Sequence, residues 1–115
     1  MHVTINQVAV SGCLTRDPAL ITLPSGHVLC EMQIASNHKS HNDVTGVWEE
    51  WPDYFTVKAF GHQGRSAHEH LCKGQGVVIQ GRLSSRVVTG ADGVSQYVVE
   101  IMAAVVQFLS RPRGG

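Results

Sequence analysis

The residues with the most evident binding chemistry lie in the stretch YFTVKAFG, residues 54–61. Its period-2 alternation is typical of a β-strand and places Tyr54, Lys58 and Phe60 on one face. The opposite face carries core-type side chains: Phe55, Val57 and Ala59. A buried face would reject the lysine, and a solvated face would not need two aromatic rings. The first face therefore offers rings for stacking and a cation for an anionic group.

A second strand adds more cations. In GVVIQGRLSSRVVT, residues 76–89, alternation directs Arg82 and Arg86 outward. The residues predicted to face inward are Val77, Ile79, Gly81, Leu83 and Val87. If both strands belong to one barrel, aromatic rings lie beside guanidinium and ammonium groups, the combination that binds single-stranded nucleic acid. Rings stack on unpaired bases at about 1–3 kcal/mol per base, while cations such as Lys58 and Lys73 bind phosphates.

Residues 36–50 are predicted to form a long polar loop that can fold over a nucleic-acid strand. Lys39 and Trp48 are its candidate contacts. Trp51 ranks below Trp48 because acidic side chains surround it and would repel phosphate. A second interpretation stays open for both tryptophans, namely that they attach the loop to the barrel.

Length, charge and cysteine content narrow the class of protein to which the chain can belong. The 115 residues predict one domain over residues 1–110, followed by a disordered end at residues 111–115. Nine basic and nine acidic side chains cancel, so any electrostatic argument must rest on local clusters. Three widely spaced cysteines and no signal peptide favour a reducing cytoplasm. No apolar run reaches membrane-spanning length.

The strand and helix patterns predict an all-β protein with one short helix. Strand patterns cover residues 3–14, 27–37 and 51–61, and a final hairpin joins Gly76–Thr89 to Ser95–Phe108 through Asp92 and Gly93. A short helix between Gly61 and Gly74 places Gly64, Ala67, His68 and Leu71 on one side. This order predicts a five-stranded Greek-key OB-fold barrel whose helix plugs one end. A two-sheet sandwich is the alternative.

Signals for catalysis or metal binding are weak. Asp17 and Asp53 are isolated carboxylates, Cys13 has no evident histidine partner, and no phosphate-binding glycine loop precedes the helix. His68 and Cys72 lie one helical turn apart, but a structural zinc site needs four ligands. The sequence therefore predicts neither an enzyme nor a metal or other cofactor.

With these residues identified, the chain resembles the bacterial single-stranded DNA-binding proteins from about Asn6 to Leu109. The segments that carry the resemblance are NQVAVSGCLTRDP at residues 6–18, PSG at 24–26, FG at 60–61, KG at 73–74, QGRL at 80–83, QY at 96–97 and VQFL at 106–109. The resemblance implies an OB-fold, a homotetramer, no catalysis, and binding of single-stranded DNA in replication, recombination and repair at the nucleoid. By position, Tyr54 and Phe60 match two stacking residues of that family.

The chain also departs from the family pattern. Val88 stands where the family usually has a stacking aromatic, and polar residues 38–40 replace a second one. The acidic C-terminal tip that recruits repair proteins is missing, so the chain is either truncated or a tailless paralogue. Two alternatives remain open: Tyr54 and Phe60 pack against another subunit, or the barrel binds a protein rather than DNA.

Overall fold

The computed structural model describes residues 3–109, which form six strands and one helix. In chain order the elements are β1 (Val8–Leu14), β2 (Ala19–Thr22), β3 (Val28–Asn42), β4 (Val47–Phe60), α1 (Gly61–His70), β5 (Gly76–Thr89) and β6 (Ser95–Phe108). The predicted disordered end, residues 111–115, lies outside the described residues. Within 3–109, no helix has the length and apolar character needed to cross a membrane.

Five of the strands close into a barrel. The neighbour order is β1, β5, β6, β4, β3, and β1 then pairs with β3 through Cys13 opposite Ala35 and Leu14 opposite Ile34. All pairings are antiparallel except the short parallel seam between β4 and β6. β2 adds to the free edge of β3. The predicted five-stranded OB-fold barrel with one helix is therefore confirmed, and the two-sheet alternative is wrong.

One close approach between β5 and β6 requires a glycine. At Gly81, where the β5–β6 register shifts, a Cβ would clash with the backbone of Met102 and Ala103. The bulge falls on β6, because Gln80 pairs with Val105 while Gly81 pairs with Ala103. Bulges of this kind bend a strand and help a small sheet to close.

The core lies inside the barrel and extends under α1. Its fully buried side chains alternate along the strands and include Met32, Ile34, Val57, Val77, Ile79 and Ile101. Gly64, Ala67 and Leu71 place the helix over the end of the barrel, as predicted. His68 does not share that buried side and is exposed. The helix also ends at His70 rather than at Gly74, whose positive φ of 89° serves the following turn.

The first predicted strand is shorter than expected. Residues 3–7 do not join β1, because the Asn6 side chain occupies the backbone groups that a strand would pair. Its Oδ1 accepts the Leu83 N–H and its Nδ2 donates to the Leu83 carbonyl, each at 2.8 Å. Strand patterns did not predict the short strand β2, whose four residues are all exposed and carry no alternation; only the family-like PSG segment indicated the hairpin that β2 forms with β3.

The predicted long loop at residues 36–50 is wrong. β3 and β4 continue as a paired hairpin out to Asn42 opposite Val47, and only residues 43–46 form the turn. We call the part of this hairpin beyond Ala35 and Tyr54 the β3–β4 arm. Asn42 ends it by accepting the N–H groups of Val44 and Thr45, and Gly46 supplies a positive φ of 72°. Both faces of the arm are largely exposed and each mixes polar side chains with one tryptophan, so its sequence lacks the alternation of a half-buried strand.

The final hairpin has the predicted bounds at both strands. Gly93 adopts a positive φ of 81° in its turn, as the Asp-Gly pair predicts. The predicted burial is correct for Val77 and Ile79 and wrong for Leu83 and Val87, which are exposed. β6 pairs with β4 as far as Ile101, which lies opposite Leu83; farther out the hairpin extends past the closed part of the barrel, and its core side is exposed.

Candidate nucleic-acid interface

The outer face is the side of β4, β5 and β6 that points away from the core. On β4 it carries Tyr54, Lys58 and Phe60, as predicted, since Val57 and Ala59 on the other side are fully buried. Tyr54 is 61% exposed and Phe60 44% exposed. Tyr54 lies opposite Ala35, whose small side chain leaves the ring open on that flank. Both rings can therefore receive a planar group from solvent.

Phe60 and Arg82 line one groove of about 930 Å³ on the outer face. The strand pairing explains their proximity: Met102 of β6 lies opposite Lys58 of β4 on one side and opposite Arg82 of β5 on the other. Gln80, Met102 and Ala104 also line the groove, which runs on to Gln7 and Ala9. A ring, a guanidinium group and amides thus share one concave surface.

An ion cluster lies at the centre of the outer face. Glu100 of β6 accepts Lys58 Nζ at Oε2 and Arg86 Nε at Oε1, each at 2.9 Å. Burial would raise the pKa of Glu100, but the hydrogen bonds and charges of Arg86 and Lys58 outweigh it and hold that pKa below its ordinary value. The same contact raises the pKa of Arg86. The sequence-based prediction treated Lys58 as a free cation; its ammonium group is instead paired with Glu100.

Glu100 is the residue that the sequence-based prediction missed. A signal was present, because Glu100 is the single charge in the otherwise apolar run from Val98 to Ile101. A carboxylate in a buried position requires a cationic partner. The partners could not be assigned without knowing that β6 lies between β4 and β5.

The β3–β4 arm carries the remaining aromatic candidates. Its pairing register has no shift, so Trp48, Lys39 and Tyr54 belong to one side of the arm and Trp51 to the other. Trp48 contacts the ring of His41 in a tilted arrangement, with centroids 5.1 Å apart and an interplanar angle of 60°. Lys39, Trp48 and the two acidic residues Glu49 and Glu50 line a shallow pocket of about 440 Å³. Neither tryptophan packs into the barrel core.

Two other positions from the sequence analysis remain: Val88, where the family's ring is missing, and the predicted contact Lys73. Val88 lies outward on β5, two residues beyond Arg86, and is half-exposed. Lys73 is not on the sheet: it follows α1 in a turn, and its backbone N–H donates to Asp17 Oδ1 at 2.8 Å. The structure therefore brings Tyr54, Lys58, Phe60, Arg82 and Arg86 onto one barrel face, extends that side with Lys39 and Trp48, and leaves Lys73 apart.

The two candidate carboxylates have structural contacts. Asp53 accepts a hydrogen bond from His38 across the arm at 2.8 Å, and Asp17 holds the turn at Lys73. Burial, assisted by Glu31, raises the pKa of the Cys30 thiol to about 11. Within residues 3–109 no three histidine, cysteine or acidic side chains come close enough to hold a metal ion. The outer face offers exposed rings and cationic groups, and no metal-binding cluster among the described residues.

Comparison with known proteins assigns this barrel to a family. Residues 5–109 match the model of the single-strand binding protein family. Single-stranded DNA-binding protein 2 of Chlorobaculum tepidum is 35% identical over 108 residues, which cover 93% of this chain and 72% of that protein. The single-stranded DNA-binding protein of Aquifex aeolicus is 34% identical over 110 residues, covering 96% of this chain and 74% of the relative.

A solved structure shares the fold at lower identity. Plasmodium falciparum SSB in complex with ssDNA matches with a TM-score of 0.85 and 18% identity, covering 96% of this chain and 99% of that one. The fold likeness and the family match extend over the same barrel, from β1 to the end of β6. The chain belongs to the single-strand binding protein family.

Proposed function

We propose that this protein binds single-stranded DNA without sequence preference and protects it during replication, recombination and repair. One observation carries the proposal: a family barrel presents two exposed rings, Tyr54 and Phe60, on the same face as the guanidinium groups of Arg82 and Arg86. The names of the two bacterial relatives support the same ligand. The site of action is the nucleoid, where unpaired strands arise.

Stacking and phosphate contact explain the preference for single strands. Unpaired bases present both ring faces to Tyr54 and Phe60, whereas the bases of a duplex are already stacked on one another. Six residues of extended strand separate the two rings by roughly 20 Å, so they serve different nucleotides. No recognition helix is available for a major groove within residues 3–109, since α1 is packed on the barrel. Affinity therefore arises without base readout.

The protein acts by binding rather than by catalysis in this proposal. The outer face holds neither a nucleophile nor a pair of carboxylates at catalytic spacing among the described residues. On the barrel part of that face the carboxylate is Glu100, which is paired with two cations, and Glu50 lies on the same side farther out along the β3–β4 arm. The arrangement supports reversible binding of single-stranded DNA, with an affinity that decreases as the salt concentration rises.

We further propose that the protein self-associates, as a homotetramer. The core side of the β5–β6 hairpin, beyond the barrel, is apolar and exposed. Its residues, which we call the apolar strip, are Leu83, Val87, Tyr97 and Val99. A contiguous apolar surface of this kind is typical of a subunit contact. A protein-binding module without DNA affinity is the competing function, and the same strip would then serve a different partner.

A titration distinguishes the two functions. A fluorescent oligothymidine and a duplex of equal length are titrated with the protein at one fixed salt concentration. We expect the single strand to bind more tightly, and Tyr54→Ala and Phe60→Ala each to weaken it by about 1–3 kcal/mol. Trp51→Ala is the matched control, because Trp51 is an exposed ring on the opposite side of β4. Equal affinity for the duplex, or alanine variants that melt and bind like the parent, would contradict the proposal.

A further inference from the structure

The ion cluster of Lys58, Glu100 and Arg86 links three strands on the outer face. Glu100 lies on β6, Lys58 on β4 and Arg86 on β5. The contact with Lys58 crosses the parallel seam between β4 and β6, where Lys58 lies opposite Met102. Each carboxylate oxygen engages one cation at 2.9 Å. A single acidic side chain thus determines the surroundings of two basic ones.

The two cations are presented differently to solvent. The Arg86 side chain is 55% exposed, whereas that of Lys58 is 17% exposed and that of Glu100 6%. Glu100 holds Arg86 through Nε, and four of the five guanidinium N–H groups belong to the two Nη atoms instead. The Lys58 ammonium is a compact charge with three N–H groups, but its side chain is far less exposed to solvent than that of Arg86. Arg86 is therefore open to solvent, whereas Lys58 is largely covered and paired with Glu100.

Other charges near the cluster do not replace Glu100. Glu31 of β3 lies opposite Lys58, but its carboxylate faces Arg16 at 3.9 Å. Arg82 lies on the far side of Met102, along the groove with Phe60. Of the two carboxylates Glu31 and Glu100, only that of Glu100 contacts Lys58 and Arg86 directly.

We propose that Glu100 is a positioning residue that sets the affinity of the outer face for single-stranded DNA, by orienting Arg86 toward the phosphates and withholding Lys58 from them. This inference rests on the proposed function. The carboxylate also repels nearby phosphate, so the face binds less tightly than its basic residues would allow.

Glu100→Gln tests the proposal because it removes the charge and keeps an acceptor oxygen. The amide oxygen still accepts the Arg86 Nε–H, while Lys58 loses its counter-ion and can reach a phosphate with its flexible stem. One additional phosphate contact steepens the dependence of log Kd on log salt by about 0.7. The same contact tightens binding about five- to ten-fold at 50 mM salt.

The experiment measures the Kd of an oligothymidine at several salt concentrations for four proteins. The parent and Glu100→Gln give the basic comparison. The double variant Lys58→Met/Glu100→Gln should return to the parental salt slope, because the released cation is gone. Glu69→Gln is the matched control: it removes an exposed carboxylate of α1, away from the sheet, and should leave the slope unchanged. Thermal melting of each variant checks folding.

Several results would overturn the inference. One is an unchanged or shallower slope for Glu100→Gln; another is a steep slope that survives in the double variant. If Glu100→Gln does not fold, Lys58→Met alone decides: a withheld lysine predicts the parental slope, and a decrease of about 0.7 contradicts it. If the parent itself does not bind the oligomer, the proposed function fails and this inference fails with it.

Discussion

At the scale of single residues, Val88 is the outward position of β5 that lacks a ring. It lies on the same side as Arg86, opposite Gln96 of β6, and is half-exposed. Val88→Trp adds a stacking surface there without entering the core. We therefore expect the free energy of binding an oligothymidine to become more favourable by up to about 1–3 kcal/mol, measured as a lower Kd. Thr89→Trp adds the same ring to the opposite side of the strand, outside the apolar strip, and should bind like the parent. An equal gain from both variants would mean that the side of the strand does not matter.

Glu100 also gives the protein a predictable response to acid. Its pKa is lower in the folded protein than the ordinary value of 4.5, so its contribution to stability is complete above that value. The contribution is lost as the pH falls through the lower folded pKa, because protonation removes both ion pairs.

We therefore expect the free energy of unfolding to decrease below about pH 4.5, and to decrease less steeply in Glu100→Gln. Urea denaturation of the two proteins over a pH series measures the difference. The comparison cancels the other acidic groups, which both proteins share. Parallel curves would show that another carboxylate carries the acid sensitivity.

At the scale of elements, the two long hairpins show what the sequence could predict. The bounds of β5 and β6 were predicted to the residue, because apolar alternation, a glycine entry and an Asp-Gly turn all agree. The β3–β4 arm has the same architecture but was predicted as a loop. Its pairing is driven by backbone ladders and polar cross-strand contacts, which leave no apolar period in the sequence.

The candidate site was predicted to a similar extent. Alternation within one strand placed Tyr54 and Phe60 outward, and Arg82 and Arg86 on a second outward face. Pairing across strands was not available from the sequence, so neither the Phe60–Arg82 groove nor the Glu100 cluster could be predicted. Such contacts depend on strand order. β4 and β6 are paired in the barrel, but more than thirty residues separate them along the chain.

The arm now gives a clear prediction for its two tryptophans. Trp48 lies on the side of Tyr54 and Lys39, and Trp51 lies on the other side, beside the His38–Asp53 contact. We expect Trp48→Ala to weaken single-strand binding by about 1 kcal/mol, near the low end for a stacking residue, since Glu49 and Glu50 lie close by. Trp51→Ala should have no effect. Fluorescence quenching on addition of an oligothymidine gives a second measurement, since only one tryptophan remains in each variant.

At the scale of the whole molecule, the β5–β6 hairpin has two chemically different sides. The outer side carries Arg82, Arg86 and Glu100, while the core side beyond the barrel carries the apolar strip. Self-association can therefore cover the strip without covering the outer face. This separation would let a subunit contact form while the proposed DNA surface stays accessible to solvent.

The last prediction tests this arrangement with one substitution on the strip. Val99 is 58% exposed and lies opposite Ser85, so Val99→Glu places a charge in the centre of the strip without disturbing the core. Burying that charge against a second copy is unfavourable, and we expect light scattering to show a fall toward the 12.5 kDa mass of one chain. Val44→Glu makes the same change at the exposed turn of the β3–β4 arm and should keep the parental mass. A parent that scatters as a single chain at micromolar concentration would refute self-association. If the parent is an oligomer and Val99→Glu keeps its mass, the subunit contact lies elsewhere, and the apolar strip is free for a different partner.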